Sequence, residues 1–281
     1  MSNNNRPFYG ASSSDRWLQC PGSLSLQGSS NYLGKAAPRG TSKVAEEGAV
    51  LHFIASLFLR ATTMEQVQEL IESLLAIPVV DIVDEHGNIR ELQYGAKTIT
   101  VDDINTIWAY TNFLRSLKGD KAVEKEVSWF HYTNSEKSKG AVDGLAVFEK
   151  KATIVDLKLG KHYVDPSTSS ALKLYALGVL EEYKEVEEVS LLVYQPTFDE
   201  PVSEHKMTRT SLIAWANRRL VPAVEASKQD KQTFNEGSWC RFCPSNGLGH
   251  REPCPAKANK AYDKLRLSQQ QKQEQLPAAP F

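Results

Sequence analysis

Residues 140–158, GAVDGLAVFEKKATIVDLK, decide how this chain is read. Two apolar, β-branched runs are separated by Glu149, Lys150 and Lys151, and the pattern predicts a β-hairpin that bends at the polar residues. Side chains two apart on a strand share a face, so Asp156 and Lys158 point the same way, and pairing with the first arm brings Asp143 beside them. Two carboxylates and an ammonium at one spot can hold Mg²⁺ or Mn²⁺ through hard oxygen ligands, orient a phosphodiester and activate a water. Taken alone, an Asp-x-Lys on the wet side of a strand reads first as a solvated ion pair. The surroundings argue for a built site: Val155 and Leu157 make the rest of the strand apolar, and Gly160 follows at once.

Outward from the hairpin, the run VEKEVSWFHY at 123–132 predicts a third antiparallel strand, joined to the hairpin by a polar loop at 133–138. Glu124 and Glu126 alternate there with apolar residues, a spacing that suits side chains facing solvent. Downstream, residues 168–183 place Leu172, Tyr175, Ala176, Val179 and Leu180 at helical spacing. The apolar run SLLVYQP that follows predicts a central strand reached by a parallel crossover. Residues 205–209 suit an edge strand, and 210–227 a helix kinked or broken at Pro222.

Upstream, residues 41–60 form a predicted helix whose Leu51, Phe53, Ile54, Leu57 and Phe58 are apolar around most of its circumference, which marks it as buried. His52 within it reads either as a satisfied core histidine or as a metal ligand. Residues 64–77 read as a packing helix, 79–99 as a small hairpin turning at Glu85-His86-Gly87-Asn88, and 100–117 as a third helix with Asp102 and Asp103 in its first turn. A short helix carrying Arg16, Trp17 and Leu18 stops at Pro21-Gly22, which puts Cys20 at a helix end.

At this point the residues resemble a known pattern. The Gly140-x-x-Asp143 and Asp156-x-Lys158 pairs are similar to the G-x-x-D and D-x-K motifs of the PD-(D/E)XK nuclease superfamily, in its RecB/AddB-like branch. The phrase VDLKLGK followed by LKLYALG resembles phage and prophage members, and EGAVLH at 47–52 resembles the branch's first motif, in which a helix presents a histidine to the metal. The resemblance implies a metal site of His52, Asp143, Asp156 and the Leu157 carbonyl, with Glu124 as a secondary candidate. It implies catalytic roles for Asp143, Asp156, Lys158 and Tyr175. Where the family has Q-x-x-x-Y this chain has Ala171 and Tyr175, a departure that bears on activity and not on the fold.

Composition sets the limits. The 281 residues, 41% hydrophobic and 24% charged, are ordinary for a globular protein with a real core. No apolar run has the length of a membrane span, and the start MSNNNRPFYG lacks a secretory pattern, so the expected place is the cytoplasm, that of a bacterial host if the gene is phage-borne. A formal net charge of −1 excludes a global basic signature, and DNA contact has to rest on local cations such as Lys139, Lys161, Lys173, Arg218 and Arg219.

The cysteines form a second constellation. Cys240 and Cys243 make a C-x-x-C with Cys254 close behind, a good chelating set. Two readings compete: with His250 the group closes a tetrahedral Zn²⁺ site, and with Cys20 four thiolates hold a 4Fe-4S cluster. AddB-like and CRISPR-associated adaptation nucleases have one cysteine before the core and three after it, and the order here resembles theirs, which implies a structural cluster. A cluster of that kind would staple both ends of the domain.

The expectation is therefore an α/β protein with a PD-(D/E)XK core of helix, three antiparallel strands, helix and strand. One domain spans 12–266, with residues 1–11 and 267–281 disordered. The function implied is a metal-dependent deoxyribonuclease, an exonuclease acting in phage DNA replication or recombination alongside partner proteins of that process. The alternatives are a catalytically weak DNA-binding protein of the same fold and a zinc-stabilised adaptor.

Overall fold

The computed structural model describes residues 9–25, 43–61, 63–76, 82–83, 89–90, 99–243 and 254–256. It divides into two compact units. The first holds residues 39–214 and the initial segment to Ala11, and the second combines residues 12–38 with 215–281.

In the first unit the helices α2 (Lys43–Arg60), α3 (Met64–Ala76) and α4 (Val101–Ser116) precede a five-stranded sheet. Its strands are β3 (Asp120–Ser128), β4 (Lys139–Phe148), β5 (Lys151–Leu157), β6 (Glu188–Tyr194) and β7 (Val202–Thr208), side by side in that order. All neighbours are antiparallel except β5 and β6, which the helix α6 (Ser170–Glu182) joins by a parallel crossover. The expected order of helix, three antiparallel strands, helix and strand is the order found. The excursion before α4 contains the two-residue antiparallel pair β1 (Ile82–Val83) and β2 (Ile89–Arg90).

Local signals explain the boundaries. Thr100 caps α4 with a complete capping box, its hydroxyl accepting from Asp103 N while the Asp103 carboxylate accepts from Thr100 N. Ser169 caps α6 by accepting from Leu172 N. One apolar stripe of α2 (Val50, Ile54, Phe58) meets Ile107 and Leu114 of α4, and both lie on the face of Val155, Leu157, Leu192 and Tyr194. α6, buried nearly all round, covers the alternate residues on the other face, as an all-covered parallel pair requires.

Two features of β3 differ from the sequence reading. The strand stops at Ser128, and Phe130–Thr133, of which 130–132 are expected as strand and Thr133 as the start of a loop, form a helical turn, α5. Trp129 is fully buried there with its Nε1 donating to Tyr9 O at 3.2 Å, and Asn134 closes the turn in the left-handed region. Tyr9 and Ala11, expected within a loose terminus, are thereby buried. Within β3, Glu124 has φ +47°, a conformation that costs a residue with a Cβ about 1–2 kcal/mol. Val123 packs with the α2–α4 cluster, whereas Val127 lies against Gly178 of α6, so close that a Cβ on Gly178 would meet the Val127 Cβ at 2.8 Å. Residues four apart share a face on a regular strand. The left-handed Glu124 turns the strand over between them.

The expected helix at 210–227 is α7 (Arg209–Trp215) running through a π-turn (Ala216–Leu220) into α8 (Val221–Ser227). The wide turn precedes Pro222, whose ring would clash with a carbonyl one regular turn earlier. α8 belongs to the second unit, where it packs on α1 (Ser14–Gln19) and on the 3₁₀ turn Pro21–Leu24. The helix expected from Lys257 and the tail 267–281 lie outside the described residues.

Candidate metal centre

The site is built where β3, β4 and β5 stop behaving as regular strands. The β3–β4 ladder pairs Val123 with Gly144 and Lys125 with Val142, so Glu124 stands opposite Asp143. The β4–β5 ladder ends at the pair Gly144–Val155. Past that point Asp143 Oδ2 accepts from Leu157 N at 2.7 Å, a carboxylate taking the place of the missing ladder bond. α2 brings in His52, whose Nδ1 lies 3.4 Å from Asp143 Oδ1.

Donor atoms of His52, Glu124 and Asp143 all lie within 4.8 Å of one another. Ligand atoms about 2.0–2.6 Å from a shared ion must be this close, and one imidazole with two carboxylates suits a first-row or alkaline-earth divalent cation. The electrostatics agree. Burial, then the charge of Asp143, raise the Glu124 carboxyl from its ordinary 4.5 to about 7, and the charges of His52 and Arg60 only partly oppose this. For His52, burial acts downward, but the hydrogen bond and charge of Asp143 outweigh it and raise the imidazole. The arrangement is short of positive charge, which a cation would supply.

Beside it, Lys158 Nζ sits 2.7 Å from Asp156 Oδ2. Burial raises the Asp156 carboxyl against the opposing pull of Lys158. Burial lowers Lys158, yet Asp156 more than compensates and leaves the ammonium raised. The sequence predicts Asp156 among the metal ligands; its Oδ2 meets Lys158, and Glu124, the secondary candidate, stands with His52 and Asp143. Leu157 contributes its amide to Asp143.

Two tyrosines border the carboxylates. Tyr175 stands edge-on to Trp129 at 6.2 Å, and its phenol is raised by burial and by Asp156, Asp143 and Glu124. Ala171, one turn earlier on α6, offers no polar group. Tyr110 of α4 carries no sequence signal for the site: its buried hydroxyl has no hydrogen-bond partner among the described residues, and burial, Asp143 and Glu124 raise it well above the ordinary value. A tyrosine among apolar helix residues looks like core, and nothing in the sequence marks it otherwise.

The cations expected to meet DNA are placed differently from one another. Lys161 is exposed. Lys139 bonds to Glu126 at 3.0 Å across the β3–β4 pair. Lys173 differs from the expectation: the first turn of α6 buries it, and its Nζ donates to Ser167 O at 2.6 Å, so it braces the preceding loop. Arg218 and Arg219 are exposed on the π-turn in the second unit.

In the second unit Cys20 caps α1, and its buried Sγ accepts from Asn235 N at 3.3 Å. Asn235 also donates through Nδ2 to Gln19 O at 2.6 Å and accepts from Trp239 Nε1 at 3.0 Å, which ties α1 to the turn Ser238–Phe242 that carries Cys240. The Cys20 thiol is raised by burial, with smaller contributions from Cys254 and Cys243, so the three thiols are electrostatic neighbours. His250 lies outside the described residues.

A family model described as "Protein of unknown function (DUF2800)" matches residues 8–279. Among solved structures, an alkaline exonuclease from Laribacter hongkongensis is similar at 9% identity over 63% of this chain and 84% of that one, with a TM-score of 0.30. A protein named SSO0001 is similar at 14% identity over 55% and 69%, also with a TM-score of 0.30.

Proposed function

The chain belongs to the DUF2800 family, and from that premise we propose that it is a metal-dependent DNA nuclease of the PD-(D/E)XK type. The observation that carries the reading is the convergence of His52, Glu124 and Asp143 donors within 4.8 Å, next to the Lys158–Asp156 pair. His52, Glu124 and Asp143 would hold Mg²⁺ or Mn²⁺. When bound, the ion supplies Lewis acidity to the phosphoryl group and to the attacking water. Asp156 holds the Lys158 ammonium in place, and Lys158 orients the nucleophile and offsets negative charge as it grows on the phosphate oxygens. Asp143 is itself fixed by the Leu157 amide, so the ligand set is braced by the sheet.

The exonucleolytic mode, and a role in phage replication or recombination in a bacterial cytoplasm, follow from the resemblance of VDLKLGK and its following helix to phage members. No helix among the described residues is long and apolar enough to cross a membrane. Ala171 favours one second reading, a DNA-binding protein of this fold with weak catalysis. End-labelled single- and double-stranded DNA incubated with the purified protein and Mg²⁺, Mn²⁺ or EDTA separates the two. Shortening of the strand in metal and none in EDTA is expected; bound but intact DNA in both metals supports the second reading, and intact unbound DNA removes both.

For the cysteines we propose a 4Fe-4S cluster on Cys20, Cys240, Cys243 and Cys254, with Zn²⁺ held by His250 in place of Cys20 as the alternative. The shared electrostatics of Cys20, Cys243 and Cys254 supports the first. Cys20→Ser is expected to bleach anaerobically purified brown protein as completely as Cys243→Ser. A colourless protein with stoichiometric zinc, indifferent to Cys20→Ser, would establish the zinc site instead.

A further inference from the structure

The loops that leave β5 and β6 carry an aromatic pair that the chemistry above does not use. β5 and β6 are parallel, so both chains leave the sheet at the end where Asp156 and Lys158 sit, and Lys158 N still bonds to Tyr194 O at 2.9 Å. Gln195, the first residue past β6, is buried and ties the two loops together. Its Oε1 accepts from Val164 N at 2.8 Å, and its Nε2 donates to His162 O at 3.0 Å. One amide thus anchors both neighbours of Tyr163, while the Tyr163 side chain stays 60% exposed. Phe198 of the second loop meets that ring edge-on, with centroids 5.7 Å apart and planes at 81°. Phe198 N donates to Gln195 O at 3.2 Å, so the same residue sets both aromatic positions.

A ring whose backbone is held on both sides and whose edge meets Phe198 has less freedom left to lose when a flat partner stacks on it. In a duplex interior every base already has both faces covered by its neighbours. Only an unpaired or terminal base can offer a face to an exposed ring. Lys161 is exposed two residues before Tyr163, and the five residue steps from Lys158 to Tyr163 span at most about 18 Å, within reach of a few nucleotides. Asp199 and Glu200 are exposed just past Phe198, so phosphates are steered to the Lys161 side of the pair.

We propose that Tyr163 and Phe198 form a stacking platform for an unpaired base of the DNA strand that enters the metal centre. The proposal rests on the nuclease reading and names its substrate class: single-stranded DNA or a frayed duplex end. The test is fluorescence anisotropy of fluorescein-labelled oligonucleotides with the full chain in Ca²⁺ buffer. Tyr163→Ala should weaken single-strand binding about tenfold, and Tyr163→Trp should restore it, since stacking needs a π-face of any aromatic kind. A strand of abasic sites should bind wild type and Tyr163→Ala alike, and a blunt duplex should not distinguish them. Equal single-strand affinity in wild type and Tyr163→Ala overturns the platform; if the wild type still cleaves DNA, the nuclease reading stands without it. A wild type that neither binds nor cleaves any DNA overturns both.

Discussion

Lys158→Ala is expected to slow DNA cleavage about a hundred- to a thousandfold, the usual loss when one preorganised charge facing the reacting phosphate is removed. Burial lowers its ammonium, yet Asp156 outweighs this and leaves it raised, which favours the charged form. Asp156→Ala should lose nearly as much rate, because Lys158 would keep its charge but lose the 2.7 Å contact that aims it. If the two act as a unit, the double variant will be no slower than the worse single one. The two lesions differ in stability. Lys158→Ala strands a buried carboxylate and removes the charge that opposes its upward shift, whereas Asp156→Ala frees a partly exposed ammonium to reach water. Initial rates on end-labelled DNA in Mn²⁺, with thermal unfolding of each variant, check both statements. A wild-type rate in Lys158→Ala would end its catalytic assignment.

Glu124→Gln should stabilise the metal-free protein while removing its activity. The folded carboxyl titrates at about 7, above its ordinary 4.5, so the folded state binds the proton more tightly than the unfolded chain. Stability is then complete below pH 4.5 and falls as pH rises to about 7; above that, ionised Glu124 costs on the order of 3 kcal/mol. Glutamine keeps the shape without the charge. In EDTA at pH 8 the variant should melt higher than the wild type, by several degrees for a domain of this size, and at pH 4.5 the two should coincide. Saturating Mn²⁺ should reverse the order, since only the wild type retains the full ligand set. A variant that melts lower at pH 8 in EDTA would show that Glu124 is not destabilised by burial beside Asp143.

What the sequence revealed was local. The hairpin is visible because alternation and the polar bend lie within nineteen consecutive residues, 140–158. The α4 start is visible because Thr100 and Asp103 stand three apart. What it hid depends on distant partners. Trp129 sits in strand-like text, yet its indole bonds to the Tyr9 carbonyl 120 residues earlier, and the chain folds into a turn to allow it. Glu124 looks solvated by alternation, but its left-handed backbone turns β3 over and brings the carboxylate opposite Asp143. Lys173 carries the charge of a phosphate contact, and only its position in the first turn of α6 reveals that Ser167 O takes it.

The second unit is assembled from residues 12–38 and 215–281, and this imposes an order of events on biosynthesis. Residues 39–214, 176 in number, separate its halves, and a ribosome adding about 5–20 residues per second needs on the order of 9–35 s to bridge them. The first unit can collapse during that interval, because every strand of its sheet precedes Ala214. Gly22 meanwhile lacks Thr233 O, its later backbone partner, and Cys20 lacks the Asn235 amide. The nascent chain therefore carries an uncovered thiol for most of its translation, and oxidants or stray metals can reach it then. Rare codons between 39 and 214 would lengthen that exposure without changing a single residue.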